Sequence, residues 1–137
     1  MEYQPLKLEV VSADKMVMQC DVVNVIARTS EGDIGILPGH EPLMAALVPC
    51  MVEIVVAEGR TEILAIDGGL LAVAQGHVRV LSHEVKLAEE IFLEEARREA
   101  HELRHIRSEG GATDDQIHRL HILNAQIRAG EKYQASR

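Results

Sequence analysis

Apolar and polar residues alternate over Leu6-Lys7-Leu8-Glu9-Val10, the period-2 pattern of a strand with one buried face. Ala13-Asp14-Lys15 reads as a turn. Met16 and Met18 continue an extended chain, and the β-branched run Val22 to Ala27 predicts a longer strand buried on much of both faces. Glu31 to Leu43 then packs three glycines and two prolines among apolar residues. Here Glu31-Gly32-Asp33 predicts a tight turn and Ile34 to Leu37 a short strand. Pro38-Gly39 predicts a corner that throws His40 and Glu41 outward.

Met44 to Leu47 is a short apolar segment that Pro49 should end. Met51 to Ala57 and Thr61 to Ile66 predict a hairpin about Glu58-Gly59-Arg60, and Asp67-Gly68-Gly69 another reversal. Leu70 to Ala74 and Val78 to Leu81 then form a second hairpin about Gln75-Gly76-His77. Short strands at even spacing, punctuated by glycine turns, describe an all-β antiparallel sandwich or flattened barrel over residues 1–84.

The pattern changes at Leu87, beyond which Glu, Ala, Arg and Leu dominate and glycine is absent for more than a score of residues. Phe92, Ala96, Ala100, Leu103 and Ile106 make one apolar stripe at helical spacing, and Gly110-Gly111 stops that helix. Thr113 with Gln116 fits a capping box, with Asp114 and Asp115 in the first turn of the next helix. Ile117, Leu120, Leu123 and Ile127 form the second stripe, and Gly130 should end it. Residues 87–137 therefore read as an antiparallel α-helical hairpin. Its stripes are narrow, so it is marginal alone and suited to docking and undocking.

Composition narrows the function. With no Trp, one Phe and two Tyr, the core is aliphatic and aromatic stacking on bases is disfavoured. A formal charge of -8 argues against a nucleic-acid backbone as partner. Cys20 and Cys50 lack metal-ligand spacing and allow one bridge at most, which fits a reducing compartment. The N-terminus does not read as a signal peptide, and no apolar run approaches the roughly 20 residues that span a bilayer. Any work at a membrane would go through another protein.

His101-Glu102-Leu103-Arg104-His105 is a literal H-E-x-x-H, the signature in which two histidines hold zinc and the glutamate activates water. A zinc metallopeptidase is therefore the alternative function. At about 100° per residue, however, His101 and His105 share a face with Glu90, Glu94 and Arg98, opposite Phe92 and Leu103, which is the solvated side. No Walker loop, nucleophile elbow or triad can be assembled, so no catalytic residue and no metal site is assigned. From Gln116 onward Arg119, Arg128, Lys132 and Arg137 are opposed only by Glu131, a pattern that fits a solvated face or an acidic docking partner.

A sandwich carrying E-G-x-x-G-I-x-P-G-H-x-P-L over Glu31 to Leu43, followed by a helical hairpin, resembles the epsilon subunits of bacterial F-type ATP synthases. Leu8 to Ala13 and Gly68-Gly69-Leu70-Leu71 fit the same order, and the resemblance covers essentially the whole chain. It implies a non-catalytic rotor subunit that couples proton translocation to ATP synthesis. The sandwich would hold the gamma subunit and rest on the c-subunit ring, with Glu31, Asp33 and His40 at those contacts. The hairpin would extend toward the alpha3beta3 head and restrain ATP hydrolysis, bringing Arg119, Arg128 and Lys132 to an acidic loop of the beta subunit. The protein would then lie on the cytoplasmic face of the bacterial plasma membrane, attached only through the complex. No cofactor is expected. Some members bind ATP on the folded hairpin; Glu94 and Arg97 match one of their two motifs in part. The second falls on Ile122 to Gln126 and lacks both arginines, so weak ATP binding or none is expected.

Overall fold

A computed structural model describes residues 4–13 and 15–136. Asp14 of the first expected turn and Arg137 of the basic tail lie outside them. Seven strands come first: β1 (Leu6–Ser12), β2 (Lys15–Thr29), β3 (Gly32–Ile36), β4 (Leu43–Val56), β5 (Thr61–Ala74), β6 (His77–Leu81) and β7 (Val85–Leu87). A 3₁₀ turn (Ala88–Glu90) leads into α1 (Leu93–Ser108) and α2 (Asp114–Ala135).

Three long strands carry the architecture. One edge of β2 pairs with β1 along its first half and with β3 along its second, while the other edge pairs with β4. Likewise β5 pairs with β4 on one edge and with β6 and then β7 on the other. A parallel β1–β6 ladder, Lys7↔His77 to Val11↔Leu81, closes the ring β1-β6-β5-β4-β2. The closed part has no free edge. Its interior is aliphatic: Leu8, Val10, Val25, Val52, Ile54, Leu64, Leu71 and Val80 are fully buried. Gln75-Gly76 makes the tight β5–β6 hairpin, both residues at positive φ as a type I′ turn requires.

Several local expectations need correction. Pro49 does not end a segment; β4 runs through it, with Pro49 opposite Asp67 on β5. On its other edge the β2 ladder is interrupted between Ile26↔Glu53 and Thr29↔Leu47, so the missing N–H leaves no ladder bond unmade there. Gly68-Gly69 is a bend inside β5 and not a reversal. At Gly69, φ is +135°, and a Cβ would stand 1.9 Å from the carbonyl oxygen of Leu81. The strands continue to Leu87, past the expected limit at residue 84, because β7 still pairs with Leu64 to Ile66.

The helices differ from expectation in the same way. Phe92 precedes α1 and is 73% exposed, and Leu93 takes its place at the head of the buried stripe with Ala96 and Ala100. Gly130 sits inside α2, which continues to Ala135. α2 is apolar on two sides. Leu120 and Leu123 pack on Ala96 and Ala100 of α1, while Ala129 packs with Ile63 and Ala65 of β5 and with Ala88. The Thr113 capping box forms as expected: its hydroxyl accepts from Gln116 N–H at 3.1 Å, and Gln116 Oε1 accepts from Thr113 N–H at 2.9 Å.

Candidate functional site

The β2–β3 turn is Ser30-Glu31, one residue earlier than expected, so Asp33 belongs to β3 and stands opposite Arg28. Arg28 Nε donates to Asp33 Oδ1 at 2.8 Å. That bond, reinforced by the charges of Arg28 and, less, Arg128, holds the Asp33 carboxyl below the usual carboxylate range. Glu31 is exposed at the turn, where its N–H donates to Thr29 Oγ1 at 3.0 Å. His40 does not project freely beyond the Pro38-Gly39 corner. It is half-buried, its N–H donates to Leu37 O at 3.1 Å, and its Nδ1 lies 2.7 Å from Glu41 O. Leu37 and Met44 flank this corner and are 57% and 70% exposed, an apolar rim that the alternation pattern alone did not single out.

The tail residues are engaged within the chain. Arg119 grips Glu99 of α1 with two bonds, 2.8 and 3.1 Å, which draw the Glu99 carboxyl below its ordinary range. Lys132 Nζ lies 3.2 Å from Glu53 of β4, tying α2 to the sheet. At the other end of α2, His118 Nε2 approaches Asp67 Oδ1 of β5 to 2.7 Å. That oxygen is buried. Arg128 alone of these cations has no hydrogen bond or ion pair among the described residues. It lines a small cavity of about 100 Å³ with Arg28, Asp33, Cys50 and Glu53. The fold thus brings Asp33 of the central motif and Arg128 of the tail to one place. Arg28 was the residue missed, although Arg28 and Asp33 are placed symmetrically about a two-residue turn, a legible cross-strand charge pair.

Arg97 bonds Glu94 Oε1 and Glu131 Oε2, both at 2.8 Å, so its guanidinium is occupied by carboxylates of α1 and α2. Ile122 to Gln126 contributes Asn124 and no arginine to the groove between the helices. His101, Glu102 and His105 are all exposed on α1, and His105 Nε2 faces Glu109 Oε1 at 3.1 Å. Among the described residues no three His, Cys, Asp or Glu side chains converge. His101 lines the open groove between the helices with Arg97, Arg104 and Glu131, while the H-E-x-x-H residues lie on the exposed face of α1. No helix among the described residues is long and apolar enough to cross a membrane.

Residues 5–88 match a family profile described as the beta-sandwich domain of the ATP synthase delta/epsilon chain. The chain is 44% identical to an ATP synthase epsilon chain of Cutibacterium acnes, with 94% of each covered. It is 32% identical to that of Nocardia farcinica over 93% of this chain and 91% of the relative. Among solved structures, a chain of the Euglena gracilis mitochondrial ATP synthase, in its OSCP/F1/c-ring assembly, superposes with a TM-score of 0.74 at 24% identity. That superposition covers 99% of this chain and 84% of the other, and at this identity it speaks for the fold.

Proposed function

The chain belongs to the ATP synthase epsilon-chain family, and from that premise we propose that it is the regulatory rotor subunit of a bacterial F-type ATP synthase. It is a non-catalytic subunit. In this reading the sandwich seats on the gamma subunit and the c-subunit ring through the corner that carries Glu31, Asp33 and His40. The protein then lies at the cytoplasmic face of the plasma membrane and couples proton flow to synthesis without entering the bilayer.

One observation carries the regulatory part: α2 is held to the sheet by a small cluster in which Ala65, Ala88, Ala129 and Ile63 are buried while Met51, Ile91 and Tyr133 around them are only partly so, with Lys132–Glu53 and His118–Asp67 at its ends. Alanines bury little surface each, and an ion pair made by a half-exposed cation, as Lys132–Glu53 is, is worth about 0–1 kcal/mol. A contact of that kind can form and release. On release, Arg119, Arg128 and Lys132 would exchange Glu99 and Glu53 for acidic groups of the beta subunit, and hydrolysis would be restrained. The chain should therefore co-purify with gamma. A chain truncated after Leu87, which retains all seven strands, should keep that association and raise ATP hydrolysis by the reconstituted complex. Loss of gamma binding in the full chain would refute the rotor assignment, and unchanged hydrolysis on truncation would refute the regulatory one.

A further inference from the structure

Asp67 lies inside β5, opposite Pro49 of β4, at the bend that Gly68 and Gly69 complete. Its side chain is only 12% exposed, and its Oδ1 is buried. A carboxylate taken out of water at a helix–sheet contact is costly unless a cation meets it. Here α2 offers that cation: His118 Nε2 stands 2.7 Å from the oxygen, and the imidazole is still 55% exposed, within reach of solvent protons. Histidine is the side chain that ordinarily changes charge between about pH 5 and 8. Most of the groups around the pair keep one charge across that window. Glu84, whose carbonyl accepts from Asp67 N–H at 3.1 Å, lies near Arg119 as Asp67 does, and Arg119 is itself bonded to Glu99 of α1. Asp114 and Asp115 occupy the first turn of α2, just before His118. β4 presents uncharged Val48 and Pro49 to the next turn of the helix, at His121, and its Glu53 pairs with Lys132 at the far end. His121, and exposed His83 beside Glu84 in the chain, are the neighbours that also titrate as histidines do.

We propose that His118 and Asp67 form a proton-operated latch between α2 and the sandwich. With His118 protonated, opposite charges meet and the covered carboxylate is compensated. With His118 neutral, Nε2 has at most an uncharged hydrogen bond to give, and the cost of covering Asp67 falls on the helix–sheet contact. The packed form therefore holds the proton more tightly than the released form. By linkage, packing is strongest at low pH and weakens as pH rises through the histidine range. Because the apolar part of the contact is built on Ala65, Ala88 and Ala129, a difference of this size shifts the balance. Acidification on the side where the subunit lies would then keep the hairpin down and leave hydrolysis unrestrained. That consequence rests on the regulatory reading above; the latch itself rests on the contact.

The test is amide hydrogen exchange of the full chain between about pH 5.5 and 8, above the carboxylate range, with each rate divided by its intrinsic value. Protection along α2 should be about two- to fivefold higher at the acid end than at the alkaline end, the range for an ion pair with one half-exposed member. H118Q and D67N should each abolish that change, whereas H121Q and H83Q should keep it. No pH dependence in the parent, an undiminished one in H118Q, or its loss in H121Q or H83Q instead would overturn the latch. Hydrolysis by complexes reconstituted with the full chain, divided at each pH by that with the chain truncated after Leu87, separates the two readings. This ratio should fall toward alkaline pH with the parent and stay level with H118Q. If protection follows His118 and the ratio does not, the latch stands and the regulatory reading fails; if protection does not follow His118, the latch alone is refuted.

Discussion

Replacing Gly69 by alanine should be among the most damaging small changes in the sandwich. Two costs arise together. A φ of +135° is nearly closed to residues with a Cβ, at about 1–3 kcal/mol of backbone strain. The new Cβ would also sit 1.9 Å from Leu81 O and 3.0 Å from Leu81 C and Ser82 Cα, all backbone atoms that no side-chain rotation can clear. Relief requires the end of β6 to withdraw by more than about 1 Å, judged from ordinary contact distances. That withdrawal disturbs the Leu70↔Leu81 pair and the 3.0 Å bond from Ser82 N–H to Val11 O, the last link of the ladder that closes the ring. With roughly 1 kcal/mol for each hydrogen bond, the total is about 4 kcal/mol or more, a large part of a typical domain stability of about 5–15 kcal/mol. Gly76→Ala is the control: its φ is +80°, but nothing lies within 4 Å of its Cβ, so only about 1–2 kcal/mol is expected. Urea unfolding followed by circular dichroism gives both numbers, provided the m-values agree. If Gly69→Ala lies within about 1 kcal/mol of Gly76→Ala, the contact with Leu81 does not govern this position and the reasoning fails.

Ala129→Leu tests the helix–sheet contact. Ala129 is fully buried, and overpacking at such a site costs about 1–3 kcal/mol, so amide exchange should accelerate along α2 while protection in β4 and β5 is retained. Uniform acceleration across the chain would show that hairpin and sandwich open as one unit. Arg119→Gln probes the helix pair through pH. Because Glu99 titrates below its ordinary value in the folded chain, its stabilisation is present above the unfolded value near 4.5 and is lost as pH falls through the folded one. The variant should cost on the order of 0.5 kcal/mol at pH 7, allowing for partial exposure, and the difference from the parent should shrink below about pH 4.5. A difference independent of pH would assign the loss to packing.

Local chemistry is legible without the fold wherever a few consecutive residues decide the outcome. Alternation at Leu6, Leu8 and Val10 names the buried face of β1, because side chains on a strand have a period of two. Thr113 and Gln116 satisfy each other across one helical turn, so the start of α2 is written in four residues. The motif from Glu31 to Leu43 marks a constrained corner for the same reason, since its glycines and prolines act on their own dihedrals. What escaped this reading depended on partners distant in the chain. Pro49 is tolerated because β2 happens not to pair beside it, Gly69 is demanded by Leu81, and Gly130 lies under Leu93, 37 residues away in sequence, at 3.2 Å from where its Cβ would be. Periodicity alone shows one apolar face of α2, because its second buried side, Ile122, Ala125 and Ala129, carries a strong hydrophobic signal only at Ile122. Small side chains are invisible to periodicity and decisive in packing, because they set how closely a helix approaches a sheet. Only the folded chain places Arg128 of α2 beside Arg28 and Asp33 of the β2–β3 corner, because residues about a hundred positions apart meet only once the helix packs on the sheet.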